Sequence, residues 1–529
     1  MSAPLPDRSR VDARDDAPSV SVTPRLLRGL MLGSAAEGRD GRIPPGRRVD
    51  MGLHAGRIVS IEPATRLREA GQADVMDARH LIGFPGLINA HVHSNESFEQ
   101  GAYDAVPLEE WLVLCYPPLA GEKVAPRLDY LRAMMIAMQS LSSGVAALHD
   151  DFVNPGGDPE RLDAVLSAYA DIGVRASVAC TFADRPYLDG LPDGRDLCPP
   201  ALRMRLDQLG TRTIRNQVRF YEAARKRLAA RRNVRLRLTL GPRGPQRCTP
   251  ALMRTVAAMS AEHATPVHMH VLESRAQWLA GLRQHGTSLV KVLADTGLLG
   301  TRLTMNHAIW LSADDIARMR EHGAMTVHNP MSNFKLSSGL SPVKALLAAG
   351  IDVALGSDGP ATGDSSDFLQ SLRFAALVHK LDVGRATDAP SVDAIMAMVS
   401  TAGARSMGNP DCGCLAVGYR ADLTLFDARH LAFVPLNHAP RQLAYSAGAD
   451  AVHSVMVEGE LVYSAGRFTR VDATAVRAEI AEAAARFRRD VLGKRASANR
   501  EMLPFIRKVV AHARRATADT GTVNRVLLA

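Results

Sequence analysis

Along the chain, the spacing of the hydrophobic positions changes character twice. Between residues 22 and 80 the apolar residues fall in short runs broken by turn formers, as in Leu26–Leu32, 49–53 and 56–61. Strand side chains alternate faces, so runs of this length and spacing predict an antiparallel sheet. From Gly83 the rhythm is different: amphipathic helices over 134–141 and 162–170 precede apolar strands at 145–148 and 174–178, and further strands follow at 234–240, 265–270, 303–305, 324–327 and 351–355. Strand and helix in alternation over roughly 300 residues predict an α/β domain, a parallel sheet closed as a (β/α)8 barrel. Past Ser400 the strand-like pattern returns at 418–426 and 452–462, which reads as the completion of the N-terminal sheet into a small β-sandwich. Residues 473–503 are rich in Ala, Glu and Arg with helical periodicity, as in a surface or subunit-contact helix. The expected organisation is a disordered tail over 1–21, sandwich strands over 22–82 and 406–472, the barrel over 83–405 and a helical extension over 473–529.

Composition narrows the setting. The 529 residues are 46% hydrophobic and 22% charged, without an apolar run that would span a membrane. The first residues carry charges of both signs and no apolar core, which reads as a disordered lead-in rather than a secretion signal. Six cysteines at 115, 180, 198, 248, 412 and 414 form no C-x-x-C pair, so neither a zinc knuckle nor a disulfide framework is expected, and a reducing cytoplasm fits best. The net charge of +9 is concentrated locally at Arg225, Lys226, Arg227, Arg231 and Arg232. With no aromatic platform interleaved, that cluster reads as a solvated helix face, not a nucleic-acid surface.

The candidate chemistry sits where predicted strands end. An apolar run from Phe84 delivers His91 and His93 at i,i+2 spacing, which places both imidazoles on one side of a strand. A second His-x-His, His268 and His270, is followed by Glu273; Asn306 and His307 end the strand at 303–305, and Ser357 and Asp358 follow the strand at 351–355. A single histidine in such a position is as well explained as a core-edge residue. Recurrence of His, Glu and Asp on four strand ends points to a metal centre, because barrel enzymes build their sites at the C-terminal ends of the strands. His149, Asp150 and Asp151 fall at another strand end, as a substrate contact or a surface turn.

Four segments carry a family resemblance: 83–93 with His91 and His93, 267–273 with His270 and Glu273, 328–339 opening on His328 and containing Asn333, and 356–359 with Asp358. Together they resemble the chlorohydrolase and aminohydrolase branch of the amidohydrolase superfamily, which includes triazine hydrolases, guanine and cytosine deaminases and adenosylhomocysteine/methylthioadenosine deaminases. The resemblance runs from about residue 22 to about 480 and takes in the returning strands at 413–426 and 457–462. It implies one divalent metal, zinc or alternatively iron, held by His91, His93, His270 and Asp358, with His268 in a supporting position. Such a cation lowers the pKa of a bound water from about 15.7 toward about 7. Asp358 would accept the water's proton, Glu273 would protonate a ring nitrogen and then the leaving group, and His307 would stabilise charge on the attacking oxygen. His328, Asn333, Gln100 and Trp111 are the candidate substrate-binding residues, although an aromatic placed like Trp111 is more often a core residue and His328 is equally a loop-stabilising group.

The expected reaction is displacement of an amino group from a small N-heterocycle. The alternative is hydrolysis of another C–N or C–Cl bond: triazine dechlorination, alkylamine removal, or urea, carbamate or amide cleavage. Expulsion of ammonia needs an acid at the leaving group and expulsion of halide does not, so Glu273 favours deamination. Two departures bear on substrate. Gln100 stands where many relatives carry arginine, and the 307–310 segment reads His307, Ala308, Ile309, Trp310 where relatives often repeat the histidine. The zinc signature of polynucleotide deaminases is absent. A homodimer or larger assembly acting on a small molecule, with neither nucleic acid nor membrane as partner, is what the resemblance implies.

Overall fold

The computed structural model describes residues 23–38, 41–64, 74–120, 124–365, 367–381 and 386–516; the expected N-terminal tail lies outside them. Eight parallel strands form one sheet in chain order: β1 (Leu87–Val92), β2 (Val145–Asp150), β3 (Arg175–Phe182), β4 (Leu236–Pro242), β5 (Val267–Val271), β6 (Leu303–His307), β7 (Met325–His328) and β8 (Val353–Leu355). All eight residues of β3 are buried, as expected of a parallel strand covered on both faces. Its register aligns Val178 with Leu238 and Cys180 with Leu240 of β4. The ends of β1 and β8 meet through side chains and backbone: Asn89 Nδ2 donates to Ser357 Oγ at 2.8 Å, Ser357 N donates to Asn89 Oδ1 at 3.0 Å, and Asp358 N donates to the His91 carbonyl at 3.0 Å. The sheet is thereby closed into the expected barrel.

Several barrel strands start later or run further than the apolar runs suggest. β2 continues through His149 and Asp150, and β6 through His307, because buried polar residues extend the ladder where hydrophobicity stops. The helix before β3, Pro159–Ile172, shows why the alternation is legible: Asp158 caps its first turn, and Gly173 ends it at φ 87°, a left-handed conformation that suits glycine.

A nine-stranded sheet joins both chain ends. Leu26–Leu32, Arg48–His54 and Arg57–Pro63 meet Leu423–Asp427, Val452–Val457 and Glu460–Ser464 through Leu81–Pro85, which pairs antiparallel with Leu423–Asp427. The N-terminal part of the sandwich therefore reaches Pro85 rather than ending at residue 82, because Leu81–Pro85 is a ladder partner of the returning strand and not the first barrel strand. A small sheet of Ala36–Gly38, Gly41–Ile43 and Leu415–Ala416 completes this unit, whose core includes Leu27, Met51, Ile58, Leu425 and Met456.

An ion cluster joins barrel to sandwich. Arg175, at the start of β3, is 2% exposed; its Nε donates to Asp422 Oδ2 at 2.6 Å and its Nη2 to Asp422 Oδ1 at 3.0 Å, and it also pairs with Glu458. Removing one partner of a buried ion pair leaves the other uncompensated, which costs about 3–5 kcal/mol. Arg175→Ala is accordingly expected to lower the urea midpoint by that order, whereas Arg127→Ala, which breaks the exposed pair with Glu479, should change it by less than about 1 kcal/mol.

Three helices outside the barrel matter for the site. α1 (Leu108–Cys115) follows the β1 loop, and the chain ends in α2 (Ala473–Phe487) and α3 (Gly493–Arg515), joined by a π-helical turn over Arg488–Leu492. Helix thus continues twelve residues past the 473–503 stretch with visible periodicity, inside the helical extension expected over 473–529. Among the described residues no helix is long and apolar enough to cross a membrane.

Candidate metal centre and active site

His91 and His93 leave the end of β1, His270 leaves β5, His307 ends β6 and Asp358 follows β8. The rim at these strands bends sharply. Leu272, His307 and Asp358 hold φ values of 53°, 69° and 61°, a left-handed region that costs a non-glycine residue about 1–3 kcal/mol and is tolerated where surrounding structure imposes it.

The donor atoms converge. His91 Nε2 and His93 Nε2 lie 3.5 and 3.4 Å from Asp358 Oδ1, and His93 Nε2 lies 3.3 Å from His270 Nε2. Bonds of about 2.0–2.1 Å to one cation place neighbouring donors roughly 3.4 Å apart, so each of these three separations suits a shared ion, and His91, His93 and Asp358 offer donor atoms within reach of one. Tautomers agree. His93 Nδ1 donates to the Asp151 carbonyl at 2.8 Å, and His270 Nδ1 lies 3.4 Å from Asp151 Oδ2, which turns both Nε2 lone pairs inward. His91 is wholly buried, and neither of its ring nitrogens has a hydrogen-bond partner. A lone pair orphaned in that way is what a cation would satisfy.

The electrostatics favour a cation as well. Burial pulls His91 down to about 4 and holds His270 well below the usual histidine range, so both imidazoles favour the neutral form that a metal would need. Burial also opposes charge on His93, but the carboxylates of Glu96, Asp358 and Asp151 outweigh it and raise His93 to about 9. In the absence of a metal, that carboxylate field recruits a proton. Asp358 is held well below the usual carboxylate range: burial opposes ionisation, and the imidazoles of His91, His307 and His93 outweigh it. Glu273 goes the other way, raised well above its usual value by burial and by the charges of Asp358 and Glu109. Its Oε2 lies 3.7 Å from His307 Nε2, and Asp358 Oδ2 lies 3.9 Å from the same nitrogen. The two carboxyls on either side of one imidazole are thus pushed in opposite directions, Glu273 toward its acid form and Asp358 toward its base form, an arrangement that separates acid from base.

Residues 82–462, well over half of the chain, match the amidohydrolase family. The chain belongs to the amidohydrolase family. It is 31% identical over 429 residues to the 5-methylthioadenosine/S-adenosylhomocysteine deaminase of Desulforudis audaxviator, covering 80% of this chain and 91% of that one. It is 28% identical over 432 residues to the 5'-deoxyadenosine deaminase of Methanosarcina mazei, covering 82% and 92%. Among solved structures, an adenosine deaminase from Xanthomonas campestris with bound zinc superposes with TM-score 0.73 at 24% identity, over 88% of this chain and 99% of that one. A triazine hydrolase of Arthrobacter aurescens gives TM-score 0.76 at 22% identity, over 87% and 99%. This amidohydrolase is a hydrolase acting on C–N bonds other than peptide bonds.

The other candidate residues fall in different places. In this amidohydrolase Asn333 is buried and accepts from His307 Nδ1 at 2.9 Å, which aims His307 Nε2 at Glu273 and Asp358. Trp111 is buried with Leu108, Cys115, Leu336 and Ala361, a core neighbourhood beside the site loops. His328 sits outside the converging cluster; its Nε2 lies 3.2 Å from that of His379. Gln100 is exposed and donates to the Asp364 carbonyl at 2.9 Å. His268 is packed below the donors, stacked on His149 with ring centroids 3.7 Å apart. His149 in turn contacts Thr239 Oγ1 at 2.9 Å, so this strand end is interior and not a surface turn.

Two groups that the sequence patterns left unassigned belong here. Asp151 orients two of the donor histidines, and its position at a strand end was the available signal. Glu96, in the turn after His93, is buried and is pushed up to about 8 by burial and by Asp358 and Glu99, against the pull of His93 and of Tyr116, whose hydroxyl donates to it at 2.9 Å. Its three-residue offset from His93 on a turn could have marked it.

Proposed function

We propose that this amidohydrolase removes the amino group from an adenosine-type nucleoside, with His91, His93, His270 and Asp358 holding one zinc ion. A divalent cation in that position supplies the Lewis acidity that makes water nucleophilic at neutral pH. Asp358 takes the proton of the attacking water at Oδ2. Glu273, favoured in its acid form by burial, gives its proton to the ring nitrogen next to the attacked carbon, takes the remaining hydrogen of the attacking hydroxyl as the new C=O forms, and passes it to the amine, which leaves as ammonia. The proton held by Asp358 then returns Glu273 to its acid form. His307, held in one tautomer by Asn333, steadies the charge that grows on the incoming oxygen. The observation that carries this reading is the placement of the Glu273 and Asp358 carboxyls, whose surroundings push their ionisation in opposite directions, at 3.7 and 3.9 Å from one nitrogen of His307. Chloride leaves without an acid, so a buried acid here favours ammonia as the product. The names of the relatives supply the nucleoside, and the zinc-bound neighbour supports the metal. A cytoplasmic assembly of two or more copies is the setting this reading carries.

Ammonia release from adenosine, 5'-deoxyadenosine and S-adenosylhomocysteine, with atrazine as the halide control, tests the reading on zinc-replete protein. The expected result is ammonia from at least one nucleoside, lost on chelation and restored by zinc. Chloride release from atrazine without ammonia from any nucleoside would refute it.

A further inference from the structure

The family match ends at residue 462, and α2 and α3 lie beyond it. α3 is firmly seated. Its Met502, Phe505, Ile506 and Val509 are buried against Val113 of α1 and against Leu202 and Leu206. Polar contacts hold it along its length: Arg495 pairs with the buried Glu99, in the turn that follows His93, at 2.8 Å; Arg507 pairs with Glu110 at 2.9 Å; and His512 pairs with Asp193 at 2.6 Å. Arg275 donates to the carbonyl of Ala516 just past the last turn.

A cavity of about 430 Å³ lies beneath this last turn. That is the size of a small-ligand site, commonly about 300–1,000 Å³. At one end it is lined by Asn333, the partner of His307, and by Ser274, the residue after Glu273; at the other it is lined by Val510, Ala513 and Arg514 of α3. Between them stands Glu109 of α1, which accepts from the Ser274 hydroxyl. Arg514 is exposed and makes no hydrogen bond or ion pair among the described residues. The cavity lining thus joins two immediate neighbours of the reacting groups, Ser274 and Asn333, to the Glu109 carboxyl and the exposed Arg514 guanidinium. An anion alone would meet repulsion from Glu109, whereas a group carrying both charges finds a partner for each.

We infer that α3 forms the outer wall of the substrate pocket, and that Arg514 and Glu109 bind the carboxylate and ammonium of an amino-acid end on the substrate, remote from the amino group that is lost. This rests on the adenosine-type reading above and narrows it to nucleosides with such a tail. Arg514 lies outside the catalytic groups and is exposed, so its replacement should leave folding and zinc content unchanged.

The test compares S-adenosylhomocysteine, which has the tail, with 5'-deoxyadenosine, which shares the ring but lacks it, on the full-length zinc-loaded protein. A charge-assisted contact of this kind corresponds to roughly a tenfold effect. Arg514→Ala is expected to lower kcat/KM for S-adenosylhomocysteine about tenfold, mainly through KM, and to leave 5'-deoxyadenosine within about twofold. Equal losses on both substrates, or no loss on either, would overturn the inference. Wild-type protein that acts on 5'-deoxyadenosine and ignores S-adenosylhomocysteine would overturn it while leaving the deaminase reading in place. Ammonia from neither of these, nor from adenosine, would remove both.

Discussion

His270→Ala is expected to lose bound metal and turnover together. His270 Nε2 lies 3.3 Å from His93 Nε2, and two inward lone pairs at that distance repel unless a cation sits between them. Without His270 three donors remain, and His93, already drawn toward protonation by Glu96, Asp358 and Asp151, takes a proton in place of the metal. Metal content measured by plasma emission should fall from about one ion per chain to near zero, and kcat/KM should drop by about a thousandfold or more, because the group that activates water has gone. Circular dichroism should be unchanged, since β5 keeps its ladder to β6 through Val267, Met269 and Val271. A variant that keeps one tightly bound ion and near-normal activity would take His270 out of the ligand set.

Glu273→Gln separates chemistry from metal binding. Glutamine keeps the shape and hydrogen-bonding reach of the side chain but has no proton to transfer. Zinc content should remain near one per chain and KM nearly constant, while kcat falls by about 10²–10⁴, the usual worth of a positioned acid. The pH dependence follows from the same group. Burial, Asp358 and Glu109 raise the Glu273 pKa well above its usual value, so the acid form persists to higher pH than in a free carboxyl and is lost as pH rises through that elevated pKa. Wild-type kcat should therefore decline on the alkaline side, and the decline should be missing in the variant. Asp358, held low, stays in its basic form until the medium is strongly acidic, so its limb lies far to the acid side. Full activity in the glutamine variant would remove Glu273 from the mechanism.

His91, His93, His270 and Asp358 could be singled out from sequence because each sits where an apolar run stops, and a barrel brings such strand ends to one rim. Glu273 and His307 were legible on the same ground. Asp151 was visible as a strand-end carboxylate, yet its part in orienting His93 and His270 depends on which way the chain turns after β2, and local periodicity does not carry that. Gln100 and Trp111 follow β1 closely in sequence, but the turn over Ser94–Glu99 sends Gln100 to the surface and α1 folds Trp111 into a core cluster. Least legible was α3. Its amphipathic pattern says that one face is buried but not against what, and only the packing of Phe505 and Val509 on α1, with the Arg495–Glu99 pair, places it over the pocket.

Anomalous diffraction recorded at the zinc absorption edge, on crystals of the zinc-loaded protein, addresses the shared cation most directly. The expected map has a single peak bounded by His91 Nε2, His93 Nε2, His270 Nε2 and an oxygen of Asp358. A peak centred instead on the His149–His268 pair, or no peak at any of these side chains, would contradict it.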